Sequence, residues 1–175
     1  MKTEKIKCLG CGALVENSIG EAHKYIGAKQ GCWDLYSEVL AKEFNEYKYF
    51  EHTNRLTVDT YAIQHPGLPG KQSIQSVNIH LISLYIVLVE NLNSREATKM
   101  IGKILEKKPE FVWLDPPVPN GKITIIDVLK AKNKEEHQEI VKEWAKDVFA
   151  CWYLKHKQTI EKNVEFYCKK HLNKK

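Results

Sequence analysis

Apolar residues recur at helical spacing along most of the chain. The clearest run is Gln72 to Leu92, which contains no glycine or proline. Ile74, Val77, Leu81, Leu84, Leu88 and Leu92 follow one another every three or four residues, and Ile79, Ile82, Tyr85, Ile86, Val87 and Val89 fill the other faces. A helix that is apolar all round is a buried helix. Gln75, Asn78, His80 and Ser83 interrupt it too often for a membrane span. Upstream, Leu56, Val58, Tyr61 and Ile63 mark a shorter helix, ended by Pro66, Gly67, Pro69 and Gly70, where proline lacks a donor and glycine frees the backbone. The pattern therefore predicts an antiparallel helical hairpin over 55–92. In that register residue 57 lies level with 80, so Asp59 falls within a turn of His80.

The flanks read the same way. Trp33, Leu35, Tyr36, Val39, Leu40 and Phe44 form a helical stripe starting directly after Cys32, with Glu38, Lys42 and Glu43 on the wet side. Residues 45–54 are aromatic and polar, include His52, and are expected to bend into the hairpin. Ser94 is a candidate N-cap for a helix whose inner face is Ala97, Met100, Ile101, Ile104 and Leu105, stopped before Pro109. The segment FVWLDPPVPNG from Phe111 reads as a rigid loop anchored by Phe111 and Trp113. Ile123–Leu129 suits a strand or the start of a helix. Asn133 and Glu136 then have capping-box spacing ahead of a long helix, whose buried side carries Ile140, Trp144, Val148, Cys151, Trp152, Tyr153 and Ile160. On this helix His137 and His156 lie too far apart to share one ion, and Cys168 falls in the lysine-rich tail. The fold class is mainly α: a helical bundle, one domain overall, with residues 1–32 forming a small knuckle segment packed on a body at 33–175.

That N-terminal segment carries the sharpest local chemistry. Cys8-Leu-Gly-Cys11-Gly12 is a tight turn that aims two sulfurs at one point. A structural zinc site wants four donors, and His23 and Cys32 complete C-x2-C-x11-H-x8-C. The expected metal ligands are Cys8, Cys11, His23 and Cys32, with zinc as the cofactor. A thioredoxin-type redox pair would need a strand before the motif and a helix after it, but Gly12-Ala-Leu-Val looks extended. A reduced, inert pair is the remaining alternative. In the hairpin, Asp59, His65 and His80 are candidate catalytic residues, because a carboxylate fixes an imidazole tautomer. The same contact also serves as a satisfied polar group in a core.

Charge narrows the partners. The net charge of +5 sits wholly after Cys151, where seven lysines face two glutamates. Only Arg55 and Arg95 among the 27 basic residues are arginine. Lysine excess of this kind suits a solvated surface, not base or phosphate recognition; nucleic acid and membranes are not expected partners, and a homo-oligomer stays open. With no apolar leader after MKTEKIK, a cytoplasmic location is expected, where five cysteines point to metal or free thiols, not disulfides.

The motifs CxGCG, His23-x-Tyr25, Gly31-Cys-Trp33, RLTVDTYAIQHPG (Arg55–Gly67) and QSIQSVNIHL (Gln72–Leu81) together resemble a family of small uncharacterised bacterial proteins, the domain of unknown function DUF5946. The similarity continues through FVWLDPP, Trp144-Ala145 and His156. It implies that His23, Cys32, Asp59, His65 and His80 belong to recurring motifs. It brings no substrate, and Asn54 stands where the family commonly has a histidine, with His52 nearby.

Two function classes follow. One is a helical protein locked by structural zinc, with an interaction or small-ligand binding role. The other is a metal- or histidine-dependent enzyme of hydrolase or transferase type, with its site in the 55–80 hairpin and Asp59 orienting His80, His65 being base or ligand. Nucleic-acid binding through the knuckle and the lysine tail ranks last.

Overall fold

Extended backbone on both sides of the CxxC turn pairs as an antiparallel hairpin, β1 (Lys5–Lys7) with β2 (Leu14–Glu16), in the register Ile6 opposite Val15. The computed structural model describes residues 4–20, 22–47 and 53–172. His52 lies outside them. Six α-helices follow: α1 (Gln30–Lys42), α2 (Arg55–Gln64), α3 (Lys71–Leu88), α4 (Ser94–Glu106), α5 (Ile125–Leu129) and α6 (Lys134–Leu172). The fold is mainly α-helical. Among the described residues, no helix is long and apolar enough to cross a membrane.

The predicted hairpin is α2 and α3, and α3 touches α2, α4 and α6. Its all-round apolar sequence explains that central place: Val77, Leu81, Ile82, Leu84 and Ile86 are all buried. Truncating one such side chain to alanine costs about 2–5 kcal/mol. The core has two parts. One joins the knuckle, α1, α2, α5 and the first half of α6 around Trp144 and Trp152. The other joins one face of α3, with Ile79, Ile82 and Ile86, to α4 and the end of α6. Helix α6 bends at His156, whose backbone is non-helical (φ −126°, ψ 21°), and whose Nε2 lies 2.7 Å from the Asp115 carbonyl.

Several local expectations change. Helix α1 begins at Gln30, which places Cys32 inside its first turn. It then widens into a π-helical turn at Glu43–Tyr47. Glu43 continues the buried spacing of Cys32, Tyr36 and Val39 and is itself fully buried, while Phe44 is 55% exposed, the reverse of the expected assignment. The cap of α4 is Asn93, not Ser94: Asn93 Oδ1 accepts from the Glu96 N–H at 2.9 Å. Ile123–Leu129 resolves into the short helix α5, closed by a Thr124/Asp127 capping box. Asn133 caps α6 as expected, with Glu136 N–H donating to Asn133 Oδ1 at 2.8 Å, while the Glu136 carboxylate accepts from the Lys132 N–H at 2.9 Å. Cys168 is buried in the second core region despite the lysines around it.

Candidate metal centre

The knuckle is held by its own backbone. Cys8 N–H donates to the Ala13 carbonyl at 2.8 Å and Gly12 N–H to the Cys8 carbonyl at 3.0 Å. Gly12 takes φ +73°, a region that costs a residue with a Cβ about 1–2 kcal/mol. Gly10 meets the rest of the fold: a Cβ there would lie 2.5 Å from His65 Cδ2 and 2.7 Å from the Gln64 carbonyl oxygen. The turn is thus pressed against the C-terminal end of α2.

This contact assembles four donors. Cys8, Cys11, Cys32 and His65 offer ligand atoms that all lie within 4.8 Å of one another. Cys11 Sγ is 3.9 Å from Cys32 Sγ, and Cys32 Sγ is 3.4 Å from His65 Nε2. A tetrahedral zinc ion with ordinary Zn–S and Zn–N bonds requires edges of about 3.8 Å between two sulfurs and about 3.6 Å between sulfur and nitrogen. The residues present therefore fit a Cys₃His ion. They do not form a disulfide: all five cysteines are free thiols. Nor do they form a thioredoxin-type pair, since Cys11 is followed by β2 instead of a helix.

The surroundings prepare the donors. His65 is the C-cap of α2, and its Nδ1 lies 2.9 Å from the Tyr61 carbonyl. Donation to that carbonyl puts the ring proton on Nδ1 and leaves Nε2 as the lone-pair donor facing the sulfurs. Tyr61 OH donates to Cys32 Sγ at 3.6 Å. Next door, Gln64 Nε2 donates to the Asn120 and Ile123 carbonyls at 3.1 and 2.9 Å. Asn120 Nδ2 returns bonds to the Ile63 and Gln64 carbonyls at 3.0 and 3.2 Å. The proline-rich loop thus satisfies the last carbonyls of α2, which would otherwise be buried without partners.

Without a cation the four donors frustrate one another. Hydrogen bonds from Cys11 and Cys32 drive the Cys8 thiol far below the usual thiol value. The same crowding drives Cys32 far above it, through its bonds to Cys11 and Cys8. Burial alone would lower the His65 pKa, but its bonds to Cys11 and Cys8 outweigh that and raise it to about 9. Three thiolates crowded together repel unless a positive ion stands between them.

His23 is not among these donors. It packs edge-on to Tyr25 (centroids 4.3 Å) and against Trp33 (5.6 Å). The fourth donor comes instead from the QHPG end of α2. Spacing around the knuckle could not reveal a residue that only the tertiary fold returns to it. The available signal was positional: a histidine closing a helix, directly before Pro66-Gly67.

The other hairpin candidates meet as the register required. His80 Nδ1 lies 2.7 Å from Asp59 Oδ1. The carboxylate of Asp59 is fully buried; it also accepts from Ser83 Oγ and pairs with Arg55 Nε at 3.0 Å. His65 takes no part in this cluster. His80, with its side chain 22% exposed, lines a small cavity of about 120 Å³ together with His23, Trp33, Tyr36 and Tyr61. A second buried pair escaped the sequence pattern. Glu43 Oε1 accepts from His137 Nε2 at 2.9 Å and from Thr57 Oγ1 at 2.5 Å, while Oε2 accepts from Asn54 Nδ2 at 2.8 Å.

No curated protein and no solved structure matches the chain. Residues 6–153, which include all four donors and the Asp59–His80 pair, match a family of unknown function, and the chain belongs to that family, DUF5946.

Proposed function

We propose that Cys8, Cys11, Cys32 and His65 hold a structural zinc ion, and that the protein is a zinc-locked helical scaffold that binds a small ligand. The observation that carries the metal reading is the tetrahedral spacing of four donors brought in from the knuckle, α1 and α2. Three soft sulfurs with one imidazole suit zinc. Four protein donors complete a tetrahedron and leave no position for a reacting water, as in structural sites. The thiols must stay reduced, which suits the cytoplasm. Bound, the ion neutralises the crowded thiolates, while the chain's own part is to orient His65 through Tyr61 and to fasten the knuckle onto α2.

Metal content per chain, measured on protein purified without chelator, tests this. One zinc is expected, lost in Cys11→Ser and His65→Ala and retained in His23→Ala. Retention in His65→Ala would overturn the ligand set. The second reading, a histidine-dependent enzyme, is favoured by one observation: a buried carboxylate holds His80 at the edge of a cavity, an arrangement suited to a general base. A second metal, lost in His80→Ala, would put that reading first.

A further inference from the structure

Five aromatic rings from three parts of the chain meet around the small cavity beside His80. His23 stands edge-on to Tyr25 and packs against Trp33, with centroids 4.3 and 5.6 Å apart. Trp33 reaches Tyr36 and Tyr61 at 5.3 and 5.9 Å, and those two tyrosines stack at 3.9 Å. Ser76 and His80 line the same cavity from α3. Their spacing of four residues places both on one face of that helix.

We infer that this cavity binds a single planar ring that carries a hydroxyl group, a phenol. Size selects one ring. An apolar cavity of about 150 Å³ holds one benzene molecule. This one measures about 120 Å³ and meets solvent where the His80 side chain is 22% exposed. It is well below the roughly 300–1,000 Å³ of sites that enclose larger ligands. The aromatic walls select a flat body, which packs on rings in offset or edge-to-face geometry. The polar groups select the hydroxyl. A carboxylate only accepts, so the 2.7 Å bond to Asp59 places a proton on His80 Nδ1. In the neutral imidazole Nε2 is then an acceptor, and it has no hydrogen-bond partner among the described residues; nor does the Ser76 hydroxyl. One phenolic O–H donates to Nε2 and accepts from Ser76. A carboxylate offers no proton to Nε2, and an ammonium would face an imidazole that itself takes up a proton. Asp59 is bonded also to Ser83 and to Arg55 Nε at 3.0 Å, so the imidazole is oriented before anything binds.

This deepens the ligand-binding reading and rests on it. The walls also lean on the metal centre. Tyr61 OH donates to Cys32 Sγ, and Gly27 N–H donates to the His65 carbonyl at 2.9 Å, next to the bridge between His23 and Ile26. Zinc content and thermal melting are therefore read on every sample. Full-length protein is titrated calorimetrically with phenol, toluene, cyclohexanol, benzoate and tetramethylammonium. Phenol is expected to bind saturably at one per chain, about tenfold or more tighter than any of the others. His80→Phe keeps a ring but removes the acceptor, while Asp59 keeps Arg55 and Ser83. It should erase the advantage of phenol over toluene, a loss of about tenfold. Ser76→Leu fills the space and should abolish phenol binding with zinc and melting unchanged. Absence of saturable phenol binding to zinc-loaded protein, toluene or cyclohexanol binding as tightly as phenol, or native phenol affinity in His80→Phe would each overturn the proposal. Tighter binding of benzoate or tetramethylammonium would overturn it too, making the cavity an anion or a cation site. Phenol binding that survives Ser76→Leu would place the ring elsewhere, which rejects this site and leaves the ligand-binding reading standing. Phenol binding that survives chelation would support the site and count against the zinc lock alone.

Discussion

Trp144 Nε1 donates to Gln64 Oε1 at 3.0 Å in the fully buried centre of the protein. Gln64 immediately precedes His65, so α6 grips α2 one residue away from the proposed ligand. The same amide donates to two loop carbonyls. Gln64→Ala would leave the Trp144 N–H and the Asn120 and Ile123 carbonyls without partners. The expected cost is about 3 kcal/mol, a fall in Tm of roughly 10 °C, measurable by thermal unfolding. Zinc affinity should fall as well, because the end of α2 that orients His65 loses its support.

Metal removal should act locally. Chelation is expected to open amide exchange across residues 4–29 while α3 and the middle of α6, held by their own cores, stay protected. Uniform loss of protection would show that the ion holds the whole domain. Acidification should release the ion too, since the thiolates and imidazole must take up protons to let it go.

Asp59→Ala and His80→Ala should differ sharply although they break the same hydrogen bond. Removing Asp59 leaves Arg55, Ser83 and His80 without their shared acceptor, an expected loss of about 3–5 kcal/mol. Removing His80 leaves Asp59 still bonded to Arg55 and Ser83, an expected loss of about 1 kcal/mol. Denaturant unfolding of the two variants separates them; equal losses would mean that Arg55 contributes nothing to holding the carboxylate.

At α5, Thr124→Ala should cost about 1 kcal/mol through loss of the cap. Burial would raise the Asp127 pKa, but hydrogen bonds from Lys130 and Thr124 prevail and hold it below the ordinary 3.8. A carboxylate depressed in the folded state stabilises above its unfolded value and loses that contribution as the pH falls through the folded one. The stability gap between the native chain and Asp127→Asn should therefore be full above pH 3.8 and close on further acidification.

Where periodicity governs, the sequence was readable. The hairpin, its loop and the Asp59–His80 contact follow from counting residues along two antiparallel helices. The knuckle followed from the chemistry of CxxCG. Two features did not follow, for different reasons. His65 reaches the sulfurs only because Gly10 lets the knuckle press on the end of α2, a tertiary approach with no local spacing rule. Glu43 is buried because it continues the Cys32, Tyr36 and Val39 face of α1, where a charged side chain reads from sequence as solvated, and its acceptors are filled from α2 and by His137, far along the chain.

The four candidate metal donors enter from three separate parts of the chain, with His65 the last to be reached. Closing so long a loop costs an entropy that grows only slowly with its length; the demanding requirement is that α1 and α2 already stand side by side. Uptake of the ion should accordingly trail docking of α1 on α2, where Tyr36 stacks on Tyr61, during refolding. Its release should report the knuckle lifting off the end of α2. A zinc-sensitive dye would then serve as a clock for the order of assembly, recording when the first third of the chain acquires its native topology.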